Sequence, residues 1–513
     1  MSWDYERSKE RLAEEWKRIR EVGISVEKLA REMDLRNLSP TDARVVHGTH
    51  LYAGVCNLGA LLDDGLMRRD NFLRLHRYLH VVRVEQRRIV QEVFDGDKIQ
   101  VQGPKFHGLL YKPYDDDAKL AWSSVLCGIA LHLLFDKALP QVFPDYAALV
   151  PRIGAELGDS VVANVGVRGD RELISIGNAA NYAAKIMDRD NAVTIGQTLF
   201  SILPKKRQAL FVSDGSVYRL DCQKLEGPEK LVQESGFSWS IESSVKKMQE
   251  VNDSLPLAEI TIEEARERID LEQLGPKHAK VCSGVSIFTD IDGFTRLVDS
   301  LVGNLDELAK AIQVLHLFRY ELRQVTQSDF DGVTIQHQGD RLQALVNVPY
   351  DQEGRIKNKA TDICISHNSS VEEILNKDHA VLGELHVAIG CDFGKTLVCR
   401  SGVRGDLDST CLGDAAFRAE EIQLQLTGNE IGISKTIYEA LTDESIRLAF
   451  SYDSNRGVYV SKGLTWTSLE DEERTRDYAV SVKAAYATGG SVVVGPKSEG
   501  VGRPLKVTKP WFG

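Results

Sequence analysis

The stretch GVTIQHQGDRLQALVNV, residues 332–348, decides the fold. Apolar and polar residues alternate on both sides of Gly339-Asp340, so it reads as two strands joined by a tight turn. Upstream lies NLDELAKAIQVLHLFRYELRQVTQ (304–327), whose apolar residues recur at i, i+3, i+4 and i+7, the spacing of an amphipathic helix. Before it, VSIFTDI (285–291) is a β-branched strand that breaks at Asp292-Gly293. Downstream come a helix near 353–376, a strand LHVAIGCDFG (385–394), a strand–turn–strand and a helix DAAFRAEEIQLQLT (414–427). The order strand–helix–strand–strand–helix–strand predicts an α+β domain of the split-βαβ, ferredoxin-like kind.

The whole arrangement occurs twice. At a single offset of 236 residues, GVRGD (166–170) matches 402–406, PYD (113–115) matches 349–351, and IQVQG (99–103) matches IQHQG (335–339). Asp34-Leu35 likewise matches Asp270-Leu271, and Pro40 matches Pro276. A period this long means two copies of one domain, which pack as a homodimer would, about a pseudo-twofold axis. The sequence therefore divides into a charged helical arm (1–44), a first repeat (45–242), a linker arm (243–282), a second repeat (283–470) and an extended Gly/Pro/Lys-rich tail (471–513). Each arm is expected to be helical up to Pro40 or Pro276, and to lie along a partner or cap its own domain.

With 513 residues, 42% hydrophobic and 27% charged, the chain has the composition of a globular protein with two cores. A net charge of −12 argues against nucleic acid or an anionic membrane surface as the main partner. The most apolar run, VLCGIALHLLF (125–135), is too short for a membrane span and is expected to be a core element. The eight cysteines show no CxxC spacing and the N-terminus no apolar signal region, so a cytoplasmic protein with reduced thiols is expected. No GxxxxGK[ST] loop is present, which disfavours a P-loop GTPase or kinase.

Asp290 ends a strand before a Gly turn and Asp340 tips the neighbouring hairpin, so the two carboxylates converge. Close carboxylates repel unless a cation or a shared proton intervenes, and hard divalent ions with oxygen ligands are the usual answer. The turn at Asp292-Gly293-Phe294 offers helix-start N–H groups suited to phosphate. Seen singly, each Asp is also ordinary turn chemistry.

IFTDIDGFT (287–295) and GDRLQALV (339–346) resemble the two metal motifs of the class III nucleotidyl cyclases. The resemblance implies that Asp290, Asp340 and the carbonyl of Ile291 hold two divalent cations, Mn²⁺ or Mg²⁺, against a nucleoside triphosphate. It implies a second set of groups from the partner domain, an Asn for the ribose and a cation four residues later for the α-phosphate. GNAANYAAK (177–185) supplies Asn181 and, where the family has Arg, Lys185. Lys keeps the charge and lacks the bidentate fork. At the 236 offset, Asp290 and Asp340 match Gly54 and Pro104, while Asn181 and Lys185 match Phe417 and Glu421. The losses are sorted: one composite site keeps every part, its mirror image none.

The family's base-reading positions fall on Gln100 and Ile174, which is neither the adenine nor the guanine pair, and Tyr52, matching Phe288, is placed to narrow the pocket. Gln336 at the equivalent place makes an ordinary strand role for Gln100 equally open. Phe288, Gly293 and Phe294 complete the implied substrate contacts. The general pattern looks like the bacterial pyrimidine cyclases of antiphage systems. It implies UTP as substrate, cUMP as messenger and a separate effector protein, from a chain acting as a monomeric pseudo-dimer or a homodimer. A cytidylate, adenylate or guanylate cyclase and a catalytically silent nucleotide-binding regulator are the alternatives.

Overall fold

A computed structural model describes residues 2–31, 33–58, 69–167 and 170–470. The expected tail at 471–513, and Arg168-Gly169 of the first GVRGD, lie outside the described residues. The first repeat contributes β1 (Ser25–Lys28), β2 (Asp42–Val55), β3 (Asp97–Gln102), β4 (Lys105–Leu110), β5 (Pro151–Val167), β6 (Asp170–Ile176), β7 (Ala192–Ile195), β8 (Val212–Asp214) and β9 (Val217–Asp221). The second contributes β10 (Thr261–Glu264), β11 (His278–Ile291), β12 (Val333–Gln338), β13 (Arg341–Val346), β14 (Val387–Val403), β15 (Asp406–Gly413), β16 (Glu430–Ile433), β17 (Ser451–Asp453) and β18 (Val458–Lys462).

The two sheets have one topology. Their strand orders are β3-β4-β2-β5-β7-β9-β8 and β12-β13-β11-β14-β16-β18-β17, with β1 and β6 branching in one and β10 and β15 in the other. Even irregularities repeat at the 236 offset: a bulge falls between Lys98 and Gln100 and again between Thr334 and Gln336. The expected tandem of split-βαβ domains is what the chain forms.

Glycine sets how closely helix and sheet approach. A Cβ at Gly154 of β5 would sit 2.2 Å from the Ala183 carbonyl, and one at Gly390 of β14 would sit 2.6 Å from that of Ala419. The helices Asn178–Ile186 and Asp414–Leu424 lie this close to their sheets only because these positions lack a side chain.

The repeats do not keep separate cores. Leu397, Cys399 and Leu412, from the β14–β15 hairpin, complete the apolar cluster of the first repeat. Val161, Val165, Ile174 and Ile176, from β5–β6, complete that of the second. The arms cross over as well. In the N-terminal helix Tyr5–Val22, Ser8 Oγ donates to Glu321 at 2.9 Å, and Arg11 grips Glu321 and Asp329 of the second repeat. In the linker helix Ile241–Asp253, Ser244 Oγ donates to Glu85 of the first repeat at 2.5 Å.

One expectation needs correction and a second is extended. The arm helices stop well before the prolines, at Val22, because Gly23 takes φ 73°, and at Asp253, two residues before the Leu255-Pro256 pair. The short strands β1 and β10 follow instead. The apolar stretch around 125–135 belongs to a longer element, Asp117–Val142, apolar and long enough by composition to cross a membrane. It is the core helix of the first repeat, with residues 120, 121 and 123–133 buried.

Candidate active site at the repeat junction

Asp290 stands opposite Arg341 in the antiparallel register of β11 and β13, so the Asp340 turn lies beside it. Both carboxylates are half-buried. Burial pushes Asp290 up to about 6, Arg341 opposing and Asp292 adding to the rise. Burial first, and the Asp290 charge second, push Asp340 well above the usual carboxylate range. Asp292 is occupied structurally, its Oδ2 accepting from Gly428 N at 2.9 Å. Gly293, at φ 74°, turns the chain into the helix Phe294–Leu301, whose Phe294 ring is fully buried, so the turn offers a ligand its backbone N–H groups and the nearby Arg296 guanidinium, 3.4 Å from where a Cβ on Gly293 would sit.

Four groups escaped the sequence reading. Arg319, 2% exposed, donates to the Gly339 carbonyl from Nε at 3.2 Å and to the Val165 carbonyl of the first repeat at 3.3 Å. It thereby holds the turn that presents Asp340. Its counterpart Arg83 does the same at Gly103, donating at 2.9 Å, so the repeat itself was the signal. Arg341 pairs with Glu420 at 2.9 Å and lies over the Phe288 ring at 5.0 Å. Glu420 also meets Lys105 of the first repeat at 3.7 Å, and these two cations outweigh burial to hold Glu420 down at about 2. Gln423 Nε2 donates to Asp290 Oδ2 at 3.3 Å.

Two carboxylates and a strand-end carbonyl are a hard-cation donor set. Their mutual repulsion and burial fit a divalent ion, which would relieve both. No cluster of three or more His, Cys, Asp or Glu side chains suited to a metal occurs among the described residues. The raised pKa of Asp290 has a consequence without any metal. A carboxyl raised from 3.8 to about 6 by folding stabilises the fold below pH 4 and loses that contribution as pH rises through 6. In EDTA, Asp340→Asn should therefore raise the melting temperature by roughly a few degrees at pH 8 and much less at pH 4.5. Calorimetric or dye-monitored melting checks this. A variant less stable than the parent at pH 8 would contradict the repulsion.

Asn181 and Lys185 lie four apart on the helix Asn178–Ile186 and so share a face. Asn181 is half-buried and Lys185 exposed, with no ion pair or side-chain hydrogen bond among the described residues. The helix meets the second repeat at its first turn: Asn178 N donates to Asp299 Oδ1 at 2.9 Å, on the helix that leaves the carboxylate turn. Tyr52 packs with Ala183 and Met187 beneath this helix, its ring stacked on His107 at 4.2 Å. Gln100 lies at the axis, its Nε2 donating to the His337 carbonyl at 2.5 Å and to Glu172 at 3.2 Å. Ile174 is wholly buried. At the mirror position Phe417 packs against the core of the first repeat.

No known family profile matches the chain. Its fold is that of a class III adenylyl cyclase-like ATP-binding protein from Pseudomonas aeruginosa, at TM-score 0.77 and 21% identity, covering 92% of this chain and 99% of that one. In sequence it is similar to two curated proteins named uridylate cyclase. One, from Pseudomonas aeruginosa, is 25% identical over 86% of each chain. The other, from a Rhizobium species, is 22% identical over 78% of this chain and 79% of its own length.

Proposed function

We propose that this chain is a nucleotidyl cyclase that converts a pyrimidine nucleoside triphosphate, UTP first among them, to the 3′,5′-cyclic nucleotide and pyrophosphate. The observation that carries the reading is the sorted pair of half-sites: carboxylates only on the second repeat, at a strand end and a hairpin turn, and Asn181 and Lys185 only on the first, on a helix whose Asn178 N meets Asp299 beside the carboxylate turn. The likeness to two uridylate cyclases over most of their length supports it and favours uracil.

In this reading the ribose 3′-oxygen attacks the α-phosphorus, the bond to the β-phosphate bridging oxygen breaks, and the hydroxyl proton leaves to water. Two divalent cations, Mn²⁺ or Mg²⁺, held by Asp290, Asp340 and the Ile291 carbonyl, would acidify the 3′-hydroxyl and neutralise the triphosphate when bound. Asn181 orients the ribose, and Lys185 meets the charge that builds on the α-phosphate. The backbone N–H groups after Gly293 receive the terminal phosphates. Phe288 and Tyr52 form the apolar floor. Gln100 takes part through Oε1, because its N–H donors are committed to His337 and Glu172 while Oε1 accepts only a long 3.5 Å bond from Gln102 and keeps a lone pair for the N3–H of uracil. A messenger role read out by a separate effector protein in antiphage defence belongs to the same proposal.

Incubation with each of the four triphosphates and Mn²⁺, followed by mass spectrometry, tests it; cUMP is the expected main product. Triphosphate binding without pyrophosphate release would favour a silent nucleotide-binding protein instead. Lys185→Ala should lower kcat by about 10²–10³ with little change in KM, because the contact strengthens as charge develops. Lys185→Arg should stay active. Steady-state kinetics check both, and equal rates for Lys185→Ala and the parent would assign the role to another cation.

A further inference from the structure

A cavity of about 740 Å³ lies between the repeats, apart from Asp290, Asp340, Asn181 and Lys185, none of which lines it. It straddles the pseudo-twofold axis. Gln91 faces Gln327 in this wall and Ile99 faces Ile335, each pair related by the 236 offset. The floor shared with the catalytic half is the pair Gln100 and Gln336. Gln100 donates to the His337 carbonyl, and Gln336, with its amide oriented to suit its partners, donates to the Val101 carbonyl at 3.0 Å.

Unpaired polar atoms gather in this wall. Arg400 Nε, Gln91 Oε1 and Thr334 Oγ1 are buried and have no hydrogen-bond partner among the described residues. Buried polar groups are almost always satisfied, so three unpaired atoms on residues of one cavity wall leave donors and an acceptor that small side-chain movements would turn toward a ligand. The wall carries six Lys or Arg and five Asp or Glu. Lys98 and Asp406 already pair within it at 2.6 Å, and Lys98 and Asp408 at 2.9 Å. A cavity so nearly balanced suits one phosphoryl group and disfavours a triphosphate. Its volume is that of a site for a mononucleotide-sized molecule, and Ile99, Ile335 and Leu407 supply apolar surface for a base and sugar.

We propose that this axial cavity is a second binding site, for a nucleoside bearing a single phosphoryl group, bound without metal. Whether that group is a cyclic diester or a monoester is a question of source, and the shared chemistry is the same. A ligand there touches the glutamine pair that joins the repeats and the strand that leads from His337 to Asp340. It therefore bears on how the half-sites dock.

The test is equilibrium dialysis of the full-length protein in EDTA against cUMP and, separately, UMP. Saturable binding near one equivalent per chain is expected with at least one of them, and the better ligand names the source. Asp340→Asn and Asn181→Ala should leave this binding within about twofold, while Arg400→Gln and Gln91→Leu should each weaken it about tenfold or more. Thr334→Val, nearly isosteric, is the check should either of those misfold by circular dichroism, and it too should weaken binding. Absence of binding at millimolar ligand would overturn the proposal, leaving a cavity filled by water alone. So would binding that Asn181→Ala abolishes and the cavity substitutions spare, which would place the ligand in the catalytic half. Neither result bears on turnover with UTP, which is measured separately.

Discussion

Asp290→Asn and Asp340→Asn should each abolish turnover, by at least about 10³-fold, while the protein stays folded. Each substitution removes one charged oxygen of a donor set that has few to spare: two carboxylates and one carbonyl. A metal-stabilised charge is worth several kcal/mol, and each ~1.4 kcal/mol is a factor of ten. Asn keeps the shape and can still accept from Gln423, so the local structure has no reason to collapse. The melting experiment in EDTA separates the two effects, because Asp340→Asn should be more stable than the parent at pH 8 and yet inert. Rates close to the parent's at saturating Mn²⁺ for either variant would remove the metal assignment and the cyclase reading with it.

The second large effect concerns the division of labour between repeats. Cut between Pro256 and Leu257, the chain leaves the linker helix Ile241–Asp253 with the first repeat, on which it packs. Neither fragment should have activity alone, since one lacks both carboxylates and the other lacks Asn181 and Lys185. Mixed, they should regain turnover that rises with fragment concentration, because the tether that fixed their effective concentration is gone. Full-length Asp290→Asn mixed with full-length Asn181→Ala should regain nothing if each site is built within one chain, the arrangement that the contact of Asn178 with Asp299 favours. Rescue in that mixture would mean that chains exchange repeats. Activity in the second fragment alone would be more serious, for it would put Asn181 and Lys185 outside the site.

Much of this was legible in the sequence because it is periodic. Alternation over 332–348 places two strands whatever surrounds them, and the 236 offset makes every feature of one repeat a statement about the other. The sorted losses, Gly54 and Pro104 against Phe417 and Glu421, needed only that alignment. What escaped was whatever depends on a partner distant in sequence. Strand β14 runs to Val403, beyond the ten residues that alternation marked, because its far end is buried against the first repeat rather than half-exposed on its own sheet. Arg319 looks like a solvated helix residue until the Gly339 and Val165 carbonyls close around it. The amide of Gln100 is taken up by His337 across the axis, a bond no local pattern announces. The core helix at 117–142 reads as ambiguous because a helix buried on all sides has no polar face to give it a period.

The crossed arms and hairpins have a consequence for how the chain is made. The helix Tyr5–Val22 rests on Leu305–Gln324, and the apolar cluster around Arg69–Arg88 is closed by Leu397, Cys399 and Leu412. About 300 residues separate the first arm from its seat, which at ~5–20 residues per second is roughly 15–60 s of translation. The first repeat, complete near residue 242, then waits about 155–170 residues more, roughly 8–34 s, for Leu397, Cys399 and Leu412 to cover its apolar surface. Synthesis of this protein is thus a stage at which chaperone holding, or the pace of translation between the halves, sets how much of it reaches the finished fold.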